Sequence, residues 1–271
     1  MKYILTILLL FISISCYAQA PNAVCAMPKT TSGILGLWSM NEAYSVGTVG
    51  TAYDTVGVNS VYNAFTTTDG GSSTTTCKFS NGWCLNGYGT NNGLGSYLTT
   101  AGNQTGIGGG TELTITAWIK PKIVNNANNL GGIFNIATVT DKIFFVYCTI
   151  TAGDLFINIT NSAKGFECST VGGILTANVW QFVAVTVNVV ASNNHIVKFY
   201  VNGVNKALVY SVDDNTITAI PTPAAKLNIG AYGTTGQYGH IYGFIDDVAY
   251  FNRALSAQEV AEYYYRNPRG Q

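Results

Sequence analysis

The stretch that most limits the fold is Tyr-Gly-His-Ile-Tyr-Gly-Phe-Ile-Asp-Asp-Val-Ala-Tyr-Phe-Asn-Arg-Ala-Leu-Ser-Ala-Gln-Glu-Val-Ala-Glu-Tyr-Tyr-Tyr, from Tyr238 to Tyr265. It reads as a long strand, a tight turn and a short helix. Ile241, Gly243, Ile245 and Asp247 share one parity, and Tyr242, Phe244, Asp246, Val248 and Tyr250 share the other. Side chains alternate across a strand, so both faces are apolar and the strand is expected at the centre of a sheet. Asp246 and Asp247 then enter apolar surroundings. An unpaired buried carboxylate is costly, so one of them needs a cation, a set of hydrogen bonds or water. In the helix, Ser256 and Glu259 have the spacing of a capping box, and Val260, Tyr263 and Tyr264 fall on one stripe.

The rest of the chain repeats the period of two. Leu113, Ile115, Ala117 and Ile119 alternate with Thr114, Thr116, Trp118 and Lys120, and Pro121 ends the regular pairing. Leu35 to Met40, Ser60 to Thr67, Trp83 to Leu85, Ser96 to Thr99, Ile133 to Val139 and Lys142 to Ile150 are further expected strands. Asp154 to Thr160, Val179 to Val190, His195 to Val201 and Ala225 to Ala231 complete the set, and Asp213 to Pro223 is expected as a loop. Thr151-Ala-Gly-Asp154 and Asn202-Gly203 are hairpin turns. About twelve strands with one short helix predict an all-β, two-sheet antiparallel jelly-roll sandwich with one short C-terminal helix.

The motif Gly-Phe-Ile-Asp-Asp-Val-Ala-Tyr-Phe-Asn-Arg-Ala-Leu-Ser resembles the closing strand of laminin-G-like and pentraxin-like domains of the concanavalin A-like lectin/glucanase superfamily. Five pieces precede it in the family's order. They are Gly36-Leu-Trp-Ser-Met-Asn-Glu42 with Ala52-Tyr-Asp-Thr-Val-Gly57, Leu113 to Pro121, Trp180 to Val187, Lys198 to Val204, and Leu227 to Ala231. Together they span residues 33–265. The resemblance implies one structural calcium near the closing aspartate and an early loop, which nominates Asp246 with Asp54 and Glu42. At this early loop Met40-Asn41 replaces the family's usual Phe-Asp. The other reading has Asp246 accepting N–H bonds from the adjacent turn and Glu42 solvated.

The chain has 271 residues. Residues 1–20 read as a signal peptide, with Lys2, an apolar run from Ile4 to Ile14 and a small-residue Ala18-Gln-Ala20 site. Such a run is too short to span a bilayer, and a lipid anchor at Cys16 is the alternative. Residues 21–32 are an extended lead-in, 33–265 the jelly roll and 266–271 a tail. A secreted or cell-surface location follows.

Net charge is zero and 10% of residues are charged, against about 25% in a typical domain. No basic patch is evident for phosphates, so nucleic acid is not an expected partner. Five cysteines follow the leader. Cys77 and Cys84 bracket a turn and form the first expected disulfide; Cys148 and Cys168 form a second candidate pair, although a strand between them would hold them apart. Cys25 is left free, paired with one of these, or linked to a neighbouring chain.

Two histidines, His195 and His240, lie far apart and no zinc spacing occurs. The glutamates are Glu42, Glu112, Glu167, Glu259 and Glu262, and none makes the Glu-x-Asp-x-x-Glu of the related glucanases. No Gly-x-Ser-x-Gly elbow occurs either. The chain is therefore expected not to be an enzyme. Tyr232, Tyr238 and Tyr88 are candidate loop contacts for a glycan or an extracellular protein. Trp118 is expected between the sheets, with an aromatic platform as its alternative. Asn103 and Asn158 head glycosylation sequons. Two functions are open: a secreted module binding glycan or matrix, and a subunit of an extracellular filament or coat, self-associating through the N-terminal segment and Cys25.

Overall fold

The structure, a computed structural model, describes residues 32–38, 40, 64–66, 72–73, 77–78, 84–87, 97–100, 102–104, 106–122, 130–148, 153–162, 164–190, 195–213, 217–233 and 239–265. In chain order the strands are β1 (Ile34–Trp38), β2 (Ala64–Thr66), β3 (Ser72–Ser73), β4 (Cys84–Gly87), β5 (Tyr97–Thr99), β6 (Glu112–Pro121), β7 (Leu130–Ala137) and β8 (Lys142–Cys148). Then come β9 (Asp154–Asn161), β10 (Lys164–Thr170), β11 (Gln181–Asn188), β12 (Ile196–Val201), β13 (Val204–Lys206), β14 (Leu208–Asp213), β15 (Leu227–Ile229), β16 (Gly243–Phe251) and the helix α1 (Ala257–Tyr265).

These strands form two antiparallel sheets. Sheet A has the order β13-β12-β11-β6-β16-β4-β3, with β1 also pairing with β16; sheet B has the order β14-β10-β9-β8-β7-β15-β5-β2. The expected jelly-roll sandwich is what the strands build. β16 is central and buried along its whole length. One edge pairs with β6. The other is shared: β4 pairs as far as Ile245, and β1 takes over at Val248.

The core lies between the sheets. Leu113, Ile115, Ala117 and Ile119 of β6 meet Ile143, Phe145, Leu155, Ile157 and Phe166 of sheet B. Each of these Leu, Ile and Phe side chains removed from water contributes about 1.5–3 kcal/mol. A tie also crosses the interior: the Tyr147 hydroxyl donates to the Tyr242 carbonyl at 3.3 Å and accepts from the Tyr242 N–H at 3.0 Å. Burial pushes that phenol above its ordinary pKa.

A second apolar layer covers the outer face of sheet A. Trp118, Phe182, Tyr200, Ala249 and Phe251 are capped there by Leu255, Val260 and Tyr263. The capping box forms: the Glu259 N–H donates to Ser256 Oγ at 3.2 Å and the Ser256 N–H to Glu259 Oε2 at 2.8 Å. Arg253 grips the same carboxylate with both terminal nitrogens, at 3.0 and 2.8 Å. Thr114 fixes the approach to the helix, donating to the Arg253 carbonyl at 2.7 Å and accepting from the Leu255 N–H at 2.9 Å. Trp118 therefore packs beneath α1, not between the sheets as expected. Its indole is 7% exposed and offers no open platform.

Several sequence expectations need correcting. β10 and β14 were not foreseen. The strict alternation read along the closing strand breaks at Asp246–Asp247: Asp246 pairs with Trp118 and Ala249 with Thr116, so one extra residue is inserted. Asp247 has φ 47°. After this bulge the interior side passes from Ile245 to Val248 and Tyr250, while Ala249 and Phe251 face the helix. Cys77 and Cys84 are bridged, Cα to Cα 5.3 Å. A Cys148–Cys168 bridge is excluded. β9 lies between their strands, and Cys148 pairs with Asp154 whereas Cys168 pairs with Ile157. Two strand spacings and a three-residue offset separate the α-carbons by about 14 Å, twice what a disulfide spans. Cys25 and residues 1–31 lie outside the described residues.

Candidate functional site

The outer face of sheet B, turned away from the core, carries one row of side chains in register across six strands. Thr99 pairs with Asn228, Asn228 with Asn135, Asn135 with Phe144, Phe144 with Asn158, and Asn158 with Glu167. Facing residues of a ladder point to the same side. Their chain neighbours Leu98, Ile229, Phe134, Phe145, Ile157 and Phe166 belong to the core, so the row points outward.

This row is polar and well ordered by its own bonds. Asn135 is fully buried; its Nδ2 donates to the Gly233 carbonyl at 2.9 Å, while its Oδ1 has no hydrogen-bond partner. Asn158 Nδ2 donates to Glu167 Oε1, and Thr160 donates to Asn158 Oδ1 at 2.6 Å. With its amide so engaged and 8% exposed, Asn158 is no acceptor for a sugar in the folded protein. Tyr232 leans edge-on over Phe144, with ring centroids 6.0 Å apart. Gly239, at φ 52°, makes room for it, because a Cβ there would lie 1.8 Å from the tyrosine ring.

Beside Asn228 a cavity of about 620 Å³ opens, lined by Tyr97, Thr99, Asn103, Thr138, Lys226 and Asn228 among others. This is the size of a small-ligand pocket. Amides, hydroxyls and a phenol suit a ligand rich in hydroxyls, and ring faces suit its C–H surface. Glycoside hydrolysis needs two carboxyl groups about 5–9.5 Å apart. Among the described residues of the row the carboxylate is Glu167, bonded to Asn158.

The second candidate is the bulge. Asp246 and Asp247 are 0% and 1% exposed. The Asp247 N–H donates to Asp246 Oδ1 at 2.9 Å, the turn bond named as the alternative to calcium. Burial and the Asp247 charge together raise the pKa of the Tyr263 phenol. Carboxylate oxygens are among the hard donors calcium takes, and backbone carbonyls, amide oxygens and water can complete its six to eight oxygen ligands. No group of three or more acidic, histidine or cysteine side chains able to hold a metal occurs among the described residues. Asp54 and Glu42 lie outside them, as do Tyr88 and Tyr238. Of the three tyrosines nominated, Tyr232 alone is described, and it joins the sheet B face. Sequence reading missed the Asn228–Asn135–Phe144–Asn158 row, whose single signal is an asparagine recurring at outward positions of separate strands.

Comparison with known proteins agrees with this architecture. A laminin-G profile of the concanavalin A-like lectin/glucanases superfamily matches residues 91–261. The chain belongs to that superfamily. No curated protein matches it in sequence. Domain 4 of AbnA, an extracellular GH43 arabinanase from Geobacillus stearothermophilus solved with arabinotriose, is similar at 17% identity and TM-score 0.56, over 84% of this chain and 97% of that one. The binding domain of botulinum neurotoxin DC, solved with rat synaptotagmin II, is similar at 13% identity and TM-score 0.57, over 86% of this chain and 51% of that one. A botulinum neurotoxin type C structure, whose cell entry depends on two ganglioside molecules, is similar at 14% and TM-score 0.56, over 86% and 51%. The chain spans about half the length of the neurotoxin chains. At these identities the likeness is one of fold.

Proposed function

We propose that this chain is a non-catalytic binding module that acts outside the cell and holds a neutral glycan on the outer face of sheet B. The observation that carries the reading is the register of Thr99, Asn228, Asn135 and Phe144, which ends beside the cavity of about 620 Å³. Asn228 and Thr99 supply hydrogen bonds to hydroxyls, and Tyr97 and Tyr232 supply ring faces. The export signal in residues 1–20 and an extracellular arabinanase domain among the similar folds support the location. Calcium, held by Asp246 with Asp54 and Glu42, would brace the closing strand from the far sheet. Arabinotriose is the first probe, then a glycan array with and without chelator. Wild-type protein is expected to bind and the Asn228→Ala variant to lose most affinity. Silence of the wild type on every sugar, in both conditions, rejects the reading.

One observation favours assembly as a second reading. The edge strands β13 and β14 carry Val204 and Val209, 59% and 52% exposed, and an open edge invites a strand from another chain. Size-exclusion at high protein concentration decides it: a monomer removes the filament.

A further inference from the structure

The cavity beside Asn228 has two unlike sides, and the sheet order says which is which. β15 lies between β7 and β5, so Asn228 and Lys226 form the floor. The β7 side is apolar. Ala137 shares the outward face of Asn135, two residues before it, and Val139 follows in the turn; both line the cavity. Val139 is 84% exposed, more than any other large apolar side chain among the described residues. Thr138 lies between them but spends its hydroxyl on the turn, accepting from the Thr140 and Asp141 N–H groups at 3.3 and 2.9 Å. The Thr138 N–H also donates to the Asp141 carbonyl at 2.8 Å, which fixes the turn that presents Val139. The β5 side is polar, with Thr99 and Asn103. The Gln104 N–H, bonded to the Ala225 carbonyl at 2.7 Å, holds Asn103 against the floor, where its side chain is exposed.

We propose that this cavity selects sugars carrying an acetamido group, an inference that rests on the sheet B reading and narrows it. A sugar bearing only hydroxyls would strip water from one of them against Ala137 and Val139 and give it no partner. A methyl group set there gains from leaving water instead. The amide behind that methyl needs both a donor and an acceptor, and the Asn103 side chain offers both. Asn228 and Lys226 remain for the ring hydroxyls. The pinned turn keeps Val139 in place before the ligand arrives, so little order is lost on binding. A 6-deoxy sugar would supply the methyl but leave the Asn103 amide without its counterpart.

The test is titration calorimetry of the full chain with sugar pairs that differ only in acetamido groups: diacetylchitobiose against cellobiose, and N-acetyllactosamine against lactose. L-fucose serves as the 6-deoxy probe. In at least one pair the wild type should bind the acetamido member roughly tenfold tighter. Val139→Thr, which exchanges a methyl for a hydroxyl at nearly constant shape, should cut that ratio to about twofold. Val139→Ile should keep it. Asn103→Ala should also reduce the ratio, whereas Asn228→Ala should weaken both members of a pair alike. Unfolding midpoints check that every variant is folded. Equal affinity within both pairs overturns the proposal, as does a ratio that survives Val139→Thr or tighter binding of L-fucose than of either acetamido sugar. In those cases, binding of cellobiose, lactose or arabinotriose that Asn228→Ala weakens leaves the sheet B reading standing. Silence on every sugar rejects both.

Discussion

Asn228 and Asn135 stand directly opposite each other on β15 and β7, both turned from the core, yet they do different work. Asn135 is sealed under Gly233 and holds the 231–233 segment to the sheet. Asn228 lines the open cavity. Replacing Asn228 with alanine should cost less than about 1 kcal/mol of stability while weakening glycan affinity by about tenfold. Replacing Asn135 with alanine should cost about 1–2 kcal/mol of stability, because the Gly233 carbonyl loses its donor. Calorimetric binding and urea unfolding of the two variants separate the roles.

The bulge gives a second expectation. Asp247 holds a left-handed backbone at φ 47° while its side chain is buried. Asparagine tolerates that conformation and is nearly isosteric; valine does not. Asp247→Asn should stay folded with a change of about 1 kcal/mol, and Asp247→Val should lose more than about 2 kcal/mol. Chemical denaturation midpoints check the order, and equal losses would remove the backbone explanation.

Acid sensitivity should concentrate at the start of α1. Hydrogen bonds from Arg253 hold the Glu259 carboxyl at about 2, below its ordinary 4.5, against a smaller opposing effect of burial. A depressed carboxyl stabilises the fold above its unfolded value and loses that contribution as pH falls from about 4.5 toward about 2. The group is partly open to water, so the loss is only about 1 kcal/mol. Glu259→Gln should remove this part of the pH dependence and lower stability at neutral pH by a similar amount. Thermal melts from pH 7 to pH 2 measure both.

Calcium offers a fourth test. If Asp246 is a ligand, saturating calcium should raise the unfolding midpoint, by mass action worth about 2.7 kcal/mol at a hundredfold excess over Kd. Asp246→Asn should abolish the rise. A midpoint indifferent to calcium and chelator leaves the Asp247 N–H as the explanation of that carboxylate.

Reduction of the Cys77–Cys84 bridge, which closes a seven-residue separation, should lower stability by about 2–3 kcal/mol. Paired melts with and without reductant test this.

The sheets were legible where alternation is strong, as from Leu113 to Ile119, and the helix was legible from Ser256 and Glu259. β10 was hidden because Gly165 and the polar residues around Phe166 and Cys168 mask its period. Gly165 is required there by contact, since a Cβ would come within 2.1 Å of the Ile159 carbonyl oxygen. The flip after Asp247 was unreadable because parity counting presumes no inserted residue. The Asn228–Asn135–Phe144–Asn158 row depends on the registers between strands distant in sequence, which no local pattern specifies. Trp118 was placed on the right face of its strand but assigned the wrong cover, because nothing near it announces that α1 returns over sheet A.

The strand that β1, β4 and β6 all join is made after every one of them during synthesis. Until the ribosome has delivered β16, the middle of sheet A is a gap flanked by open, hydrogen-bond-hungry edges. The nascent protein must therefore wait, half zipped, for its keystone. Its exposure to aggregation should be greatest in that interval and should end abruptly once residues 243–251 are in place.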